Sequence, residues 1–541
     1  MTMRALILSI AFLAAMPLGA QPRCLTPWLL EQGRHPGNRE KAPELSAATL
    51  SRETRQRNSV SPRGLFRVHY DVAGFNAVDP FDGNANGVPD YVDSTLFYLD
   101  MAWRVEIEEM GYTAPTDKGI QGPEIDVFIS ELDSAYYGLA YPEFDSEISS
   151  DPLRVTGFIV IDNDYVGYKT PGIEGLRVTT AHEFHHIVQF SSYRTGDQYA
   201  LNEATSTWME KQVHPAVHDY RYYTDPFLES PEEFPFSTHD VGHSVIGYAH
   251  ILYLDYLTAR FDRDIVRRIW EEYQSEESAF TAIDNVLRGT GVLNLQQSWC
   301  EFALRCYYTG SRAPGQVSYL KEAASLPTMS AAQTRSLDAA DPLVIQGELQ
   351  PLAFALERVT LAGANPNLRD TIDFLVTNAR SDIGRGGPQL PRDTFTLSIR
   401  KEFASDYSPL RRADATVAWY RFQTESSSFC LDPILGGIPN VSLALRTAPQ
   451  PFVNDGASQM VIAVGTPAEQ VRNVRVRIYS ASMAAVRQIE QSSLLPLDNS
   501  LGVIWDGRDS HGAIAPSGVY IYEISLNGAP PTLGKFAVAG R

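Results

Sequence analysis

The stretch Thr179 to Phe190, TTAHEFHHIVQF, gathers three histidines and a glutamate within five residues. On a helix His182 and His186, four positions apart, project from one face, so their imidazoles can grip one metal ion. Glu183 is then placed to reach a water on that ion and take its proton. His185 falls outside that register and is read as a supporting or surface residue. The plainer alternative makes these core or surface histidines of an amphipathic helix whose buried face is Phe184, Ile187 and Val188. A catalytic zinc needs three protein ligands and an open position, so a third must come from elsewhere. LNEATSTWME, Leu201 to Glu210, reads as a second helix; it offers Glu203, 17 residues past His186, and Glu210 two turns further along the same face.

The H-E-x-x-H order resembles the zincin signature, and L-N-E-A-x-S is similar to the third-ligand helix of gluzincins, the thermolysin-like clan of zinc metalloproteases. This resemblance implies an α+β zincin catalytic domain in which His182, His186 and Glu203 hold Zn2+ and Glu183 is the general base. It also implies a protein or peptide substrate. The metzincin order fails, because Gln189 stands where its glycine belongs and no third histidine follows in register. Related clans use a Tyr or His to stabilise the oxyanion. STHDVGHSVIGYAHILYLDYL supplies His239, His243 and Tyr248, of which Tyr248 is preferred. Rival readings are a surface adhesion or glycan-binding protein with an inactive zincin domain, and a metal-dependent hydrolase acting on something other than peptides.

A second metal pattern lies upstream in DGNANGVPDYVD. Asp82, Asn84, Asn86, Val88 (through its carbonyl), Asp90 and Asp93 fall at calcium-loop spacing, with Gly87 at the sharp turn. Asp93 replaces the usual glutamate and Pro89 interrupts the usual pairing strand. The pattern resembles the single calcium loops of thrombospondin type 3 and bacterial surface repeats, which implies structural Ca2+. A plain Asn/Gly turn capping the next helix is the alternative.

These residues must be carried by a folded chain, and 541 residues with 44% hydrophobic and 20% charged positions suffice for roughly three domains. The formal charge of −20 disfavours nucleic acid and anionic membranes. Residues 1–20, with Arg4 before the apolar run Ala5 to Met16, read as a secretory signal peptide. No later stretch is long and apolar enough for a membrane helix, so a secreted or cell-surface, bacterial extracellular protein is expected. Cysteine is sparse. A Cys300–Cys306 bridge within one helix is disfavoured by distance, leaving buried thiols or long-range pairs. Cys24, in PRCLTP, is read as a disulfide partner or free thiol, although the stretch resembles the cysteine switch that keeps matrix metalloproteases latent.

The alternating GLFRVHYDV from Gly64 suggests a strand, followed by a loop to Asp93 and a helix through STLFYLDMAWRVEIEEMGY. EIDVFIS and VTGFIVID read as further strands. From Gly172 to about Gly310 the pattern is helical, with breaks at SSYRTGD and DPFLESPEEFP. Beyond Arg312 short alternating runs read as all-β Ig-like or sandwich domains. The expected division is an N-terminal segment 21–62, a catalytic domain 63–315, a linker 316–341, a β-sandwich-type domain 342–447 and an Ig-like domain 448–541. In the last, VIWDGRDSHGAIAPSGVYIYEIS resembles the Ig-like domain of flagellar hook-capping proteins and type IX secretion sorting domains. That implies a partner in the cell surface or secretion machinery.

Overall fold

A computed structural model describes residues 24–34, 52, 54–115, 122–132, 136–144, 154–194, 198–238, 246–276, 278–313, 320–337, 342–361, 371–383, 391–402 and 416–435. Beyond these it describes 447–448, 452–454, 460–463, 474–480, 484–490, 494–497, 500–526 and 532–539. The expected signal peptide, His239 and His243 lie outside the described residues. The chain forms two compact units, residues 1–437 and 438–541, of mixed α/β and all-β character respectively.

The first unit opens with helix α1 (Thr26–Arg34), then strands β1 (Arg57–Val60) and β2 (Phe66–Tyr70) and helix α2 (Asp90–Trp103). Strands β3 (Ile125–Ser130), β4 (Gly138–Glu143) and β5 (Thr156–Asp162) complete a five-stranded sheet in the order β1-β2-β3-β5-β4. IDVFIS and TGFIVID are buried along their whole length, as unbroken apolar runs in the middle of a sheet should be. β2, β3 and β5 run parallel, and β4 pairs antiparallel with β5 at the sheet edge. β4 gave no clear sequence signal, since Gly138 and Pro142 interrupt it. The segment expected to precede the catalytic domain is therefore part of this fold, supplying α1 and β1.

Helix α3 (Gly172–Val188) lies against this sheet and against α2 and α4 (Tyr199–Val213), and is buried on all sides from Val178 to Val188. Further helices are α5 (Arg221–Glu229), α6 (Ile246–Ala249), α7 (Ile251–Arg260), α8 (Ile265–Tyr273), α9 (Ala279–Gly289) and α10 (Leu295–Tyr307). α5 runs through the expected break, with Pro226 inside it. Its buried Tyr223, Phe227 and Leu228 compensate for what the proline removes.

Two facing sheets follow in the same unit. One is ordered β12-β9-β8-β6 and the other β11-β10-β7. Their strands are β6 (Gln333–Leu337), β7 (Leu343–Leu349), β8 (Ala353–Leu361), β9 (Thr371–Asn378), β10 (Asp393–Glu402), β11 (Thr416–Thr424) and β12 (Phe429–Leu435). β6 lies within the stretch read as a linker. Phe354 packs on Phe227 and Phe302, at 5.6 and 6.1 Å between ring centres, so this sandwich shares its core with the helices. A disulfide between Cys300 and Cys430 ties α10 to β12, while Cys306 is a buried thiol.

The second unit holds β13 (Thr447–Ala448), β14 (Phe452–Val453), β15 (Met460–Ala463), β16 (Val474–Ser480), β17 (Ala485–Glu490), β18 (Leu494–Leu497), β19 (Ser500–Trp505), β20 (Gly518–Leu526) and β21 (Thr532–Ala539). They form sheets ordered β13-β15-β19-β18 and β14-β21-β20-β16-β17. Trp505 fills the core with Phe536 and Tyr520 at 5.3 and 5.7 Å, its indole N–H donating to the Arg508 carbonyl at 2.8 Å. Asn454 donates to the carbonyls of Gly507 and Ala515, pinning the DGRDSHG turn.

Candidate metal centre

α3 and α4 cross so that His182, His186 and Glu203 meet in a fully buried cluster. The two Nε2 atoms are 3.1 Å apart, and Glu203 straddles them, Oε2 at 3.2 Å from His182 and Oε1 at 3.2 Å from His186. A tetrahedral ion with bonds of about 2.0–2.1 Å holds its ligand atoms about 3.3 Å apart, so these separations fit one. Gly247 on α6 lets that helix approach Glu203, since a Cβ there would come within 2.7 Å of the Glu203 Cβ.

The outer nitrogens fix the tautomers. Gln189 uses its amide N–H groups on the Asn202 carbonyl, Thr205 and Ser206, so its oxygen is free to accept from His186 Nδ1–H at 2.8 Å. The wide helical turn Gln189–Tyr193 that ends α3 puts Gln189 there. His182 Nδ1–H donates to Glu210 at 2.7 Å. With both Nδ1 atoms committed, the two Nε2 atoms face each other, an arrangement that calls for a proton or a metal cation between them.

The charges agree. Burial opposes a charge on His182, yet Glu203 and Glu210 outweigh it and push the imidazole up to about 9. Burial likewise works against the Glu203 carboxylate, but His186 and His182 hold it down to about 2. Glu203 Oε1 is buried without a hydrogen bond. The pocket is thus built around a positive charge, and a divalent cation can take the place of the proton. The S, N and O donors present suit a borderline metal.

Cys24 is the residue that sequence reasoning set aside. Its Sγ completes the cluster, all four ligand atoms lying within 4.8 Å of one another, and it forms no disulfide. It lies 3.3 Å from Glu183 Oε2, and burial, reinforced by Glu183 and Glu203, pushes its thiol up. Glu183 itself is raised above the usual carboxylate range, chiefly by burial. Its Cγ fits against Gly138 on β4, where a Cβ would come within 3.0 Å. Tyr248 is fully buried, its ring 5.8 Å from that of His182, and its hydroxyl accepts from the Cys24 backbone N–H at 3.1 Å. His185 is no surface residue: it is buried and bonded to Glu106 at 2.8 Å, outside the ligand cluster.

The second predicted set forms an exposed turn into α2, which starts at Asp90 rather than beyond Asp93. Asp82 accepts from the backbone of Asn86 and Gly87, Asp90 from Gly83, and the amides of Asn84 and Asn86 both donate to Asp93 at 2.9 Å. Val88 N–H donates to Asn86 at 2.7 Å. Left-handed backbone at Ala85 and Gly87 makes the turn tight.

No family model and no curated protein matches the chain. Among solved structures it has a local likeness to PorZ, a surface component of the type-IX secretion system of Porphyromonas gingivalis, at 20% identity over 18% of this chain and 12% of that one, with a TM-score of 0.14. Dimeric latent PorU from the same organism is 13% identical over 38% of this chain and 19% of its own, with a TM-score of 0.15. The chain thus spans under a fifth of either structure, and the site is read from its own geometry.

Proposed function

We propose that the protein is a zinc-dependent endopeptidase of gluzincin type, acting outside the cell on protein or peptide substrates. The observation that supports this most is the pair of Nδ1-anchored imidazoles facing Glu203, with Glu183 one residue along the same helix. His182, His186 and Glu203 would hold the ion, which when bound supplies Lewis acidity towards a water and a peptide carbonyl. Glu183, buried and raised in pKa, takes the proton from the attacking water and passes it to the leaving amine. The Tyr248 phenol donates to the oxyanion that develops on the carbonyl. Gln189 and Glu210 keep the imidazoles oriented. Calcium in the Asp82–Asp93 turn has a structural role, and the second unit serves contact with the cell surface or secretion machinery.

Glu183 favours the peptidase over an inactive binding domain, because a binding site has no use for a base beside the ligands. Metal analysis of dialysed protein, paired with peptide cleavage with and without chelator, tests the reading. About one zinc per chain and chelator-sensitive cleavage are expected; a metal-free protein sinks it.

A further inference from the structure

Every group that catalysis would need is engaged by one short segment. Cys24 Sγ is the fourth member of the ligand cluster. Cys24 Sγ and the Thr26 hydroxyl both contact Glu183 Oε2, at 3.3 and 3.4 Å. The Cys24 N–H occupies the Tyr248 hydroxyl. Cys24 also bridges Gly138, and Thr26 accepts from the Ala140 N–H at 2.8 Å, so the segment sits on the edge of β4 that β5 leaves open. Leu25 and Leu29 anchor it on Phe128, Leu139, Phe158 and Val160.

We infer that Cys24 is a fourth metal ligand and that the segment Cys24–Arg34 holds the enzyme latent. The inference rests on the zinc-peptidase reading and adds its regulation. An open sheet edge beside the base is where an extended peptide would pair its backbone, and the segment already pairs there. Metal binding releases the Cys24 proton and leaves a thiolate as ligand. Release of the segment would free the Cys24 thiolate, which takes up a proton from solvent with no change of oxidation state, and would leave its position by the metal open to water. A purely structural four-ligand site would also use Cys24 but would not need Glu183 and Tyr248 bound to the same segment.

The test uses full-length wild type, Cys24→Ala, and Cys24→Ala with Leu29→Ala, which loosens the anchor without touching the ligand helices. Cobalt-substituted wild type should show thiolate-to-cobalt charge-transfer absorption, lost in Cys24→Ala while the metal is retained. Because apparent activity scales with the competent fraction, the double variant should cleave denatured casein at least about tenfold faster than wild type. A wild type without the thiolate band, or one that cleaves as fast as the variants, overturns latency and leaves the peptidase standing. A thiolate band with no cleavage by any variant overturns the peptidase reading, and latency with it, in favour of a structural site.

Discussion

Glu210 Oε1 lies 2.7 Å from His182 Nδ1, the ring nitrogen turned away from Glu203, which on the zinc-site reading makes it a partner of a ligand rather than a ligand itself. Removing such a partner costs about 10–100-fold in metal affinity. Glu210→Ala should therefore weaken zinc binding by that factor, and Glu203→Ala by more, since it deletes a donor atom. Competition against chelators of graded strength measures both. Wild-type affinity in Glu210→Ala would reduce the contact to packing.

The base fails differently. Glu183→Ala in the Cys24→Ala, Leu29→Ala background should keep its zinc and lose at least about a hundredfold in cleavage rate. Retained cleavage would place the base elsewhere.

At the exposed turn, Asp82→Ala removes the carboxylate that accepts from Asn86 and Gly87. A cation bound only to the folded state adds stability with its concentration. Calcium should thus raise the wild-type melting temperature and leave that of Asp82→Ala nearly unmoved, with zinc content equal in both. Equal wild-type melting with and without calcium removes the claim.

His214, at the end of α4, is held down to about 4, chiefly by burial and secondly by Arg177. Between that value and the ordinary histidine range near 6.5, the unfolded chain binds the proton that the folded chain refuses. Stability from this residue is therefore complete above pH 6.5 and falls on acidification towards pH 4, by about 1 kcal/mol per pH unit. His214→Gln should flatten the acid limb of a denaturation series by that slope. An unchanged slope would mean that His214 titrates normally.

Much of the cluster was legible because helical periodicity is local: the four-residue spacing alone puts His182 and His186 on one face. Glu203 needed only a second helix nearby. Cys24 was legible only as a resemblance set behind a disulfide partner or free thiol, because it reaches the cluster along β4, an edge strand whose Gly138 and Pro142 blur any alternation. Glu210 was legible only as a second candidate beside Glu203. Ligand and ligand partner share one helix face, and only the crossing of α3 and α4 decides which nitrogen each meets. The helix through Pro226 was missed because tertiary burial of Phe227 and Leu228 overrode a local breaker.

The bond between Cys300 and Cys430 spans 130 residues of sequence and also redirects mechanical load. Tension applied to the chain beyond Cys430 enters at β12 and crosses the sulfur bridge directly into α10. Residues 301–429 then sit in a shunted loop that bears none of it. If the second unit is what tethers this protein, the sandwich strands β6 to β11 are insulated from the pull, and reduction of one bond would place them in series with it. Single-molecule stretching from the C-terminus should accordingly gain a long extension step only after a reductant is added.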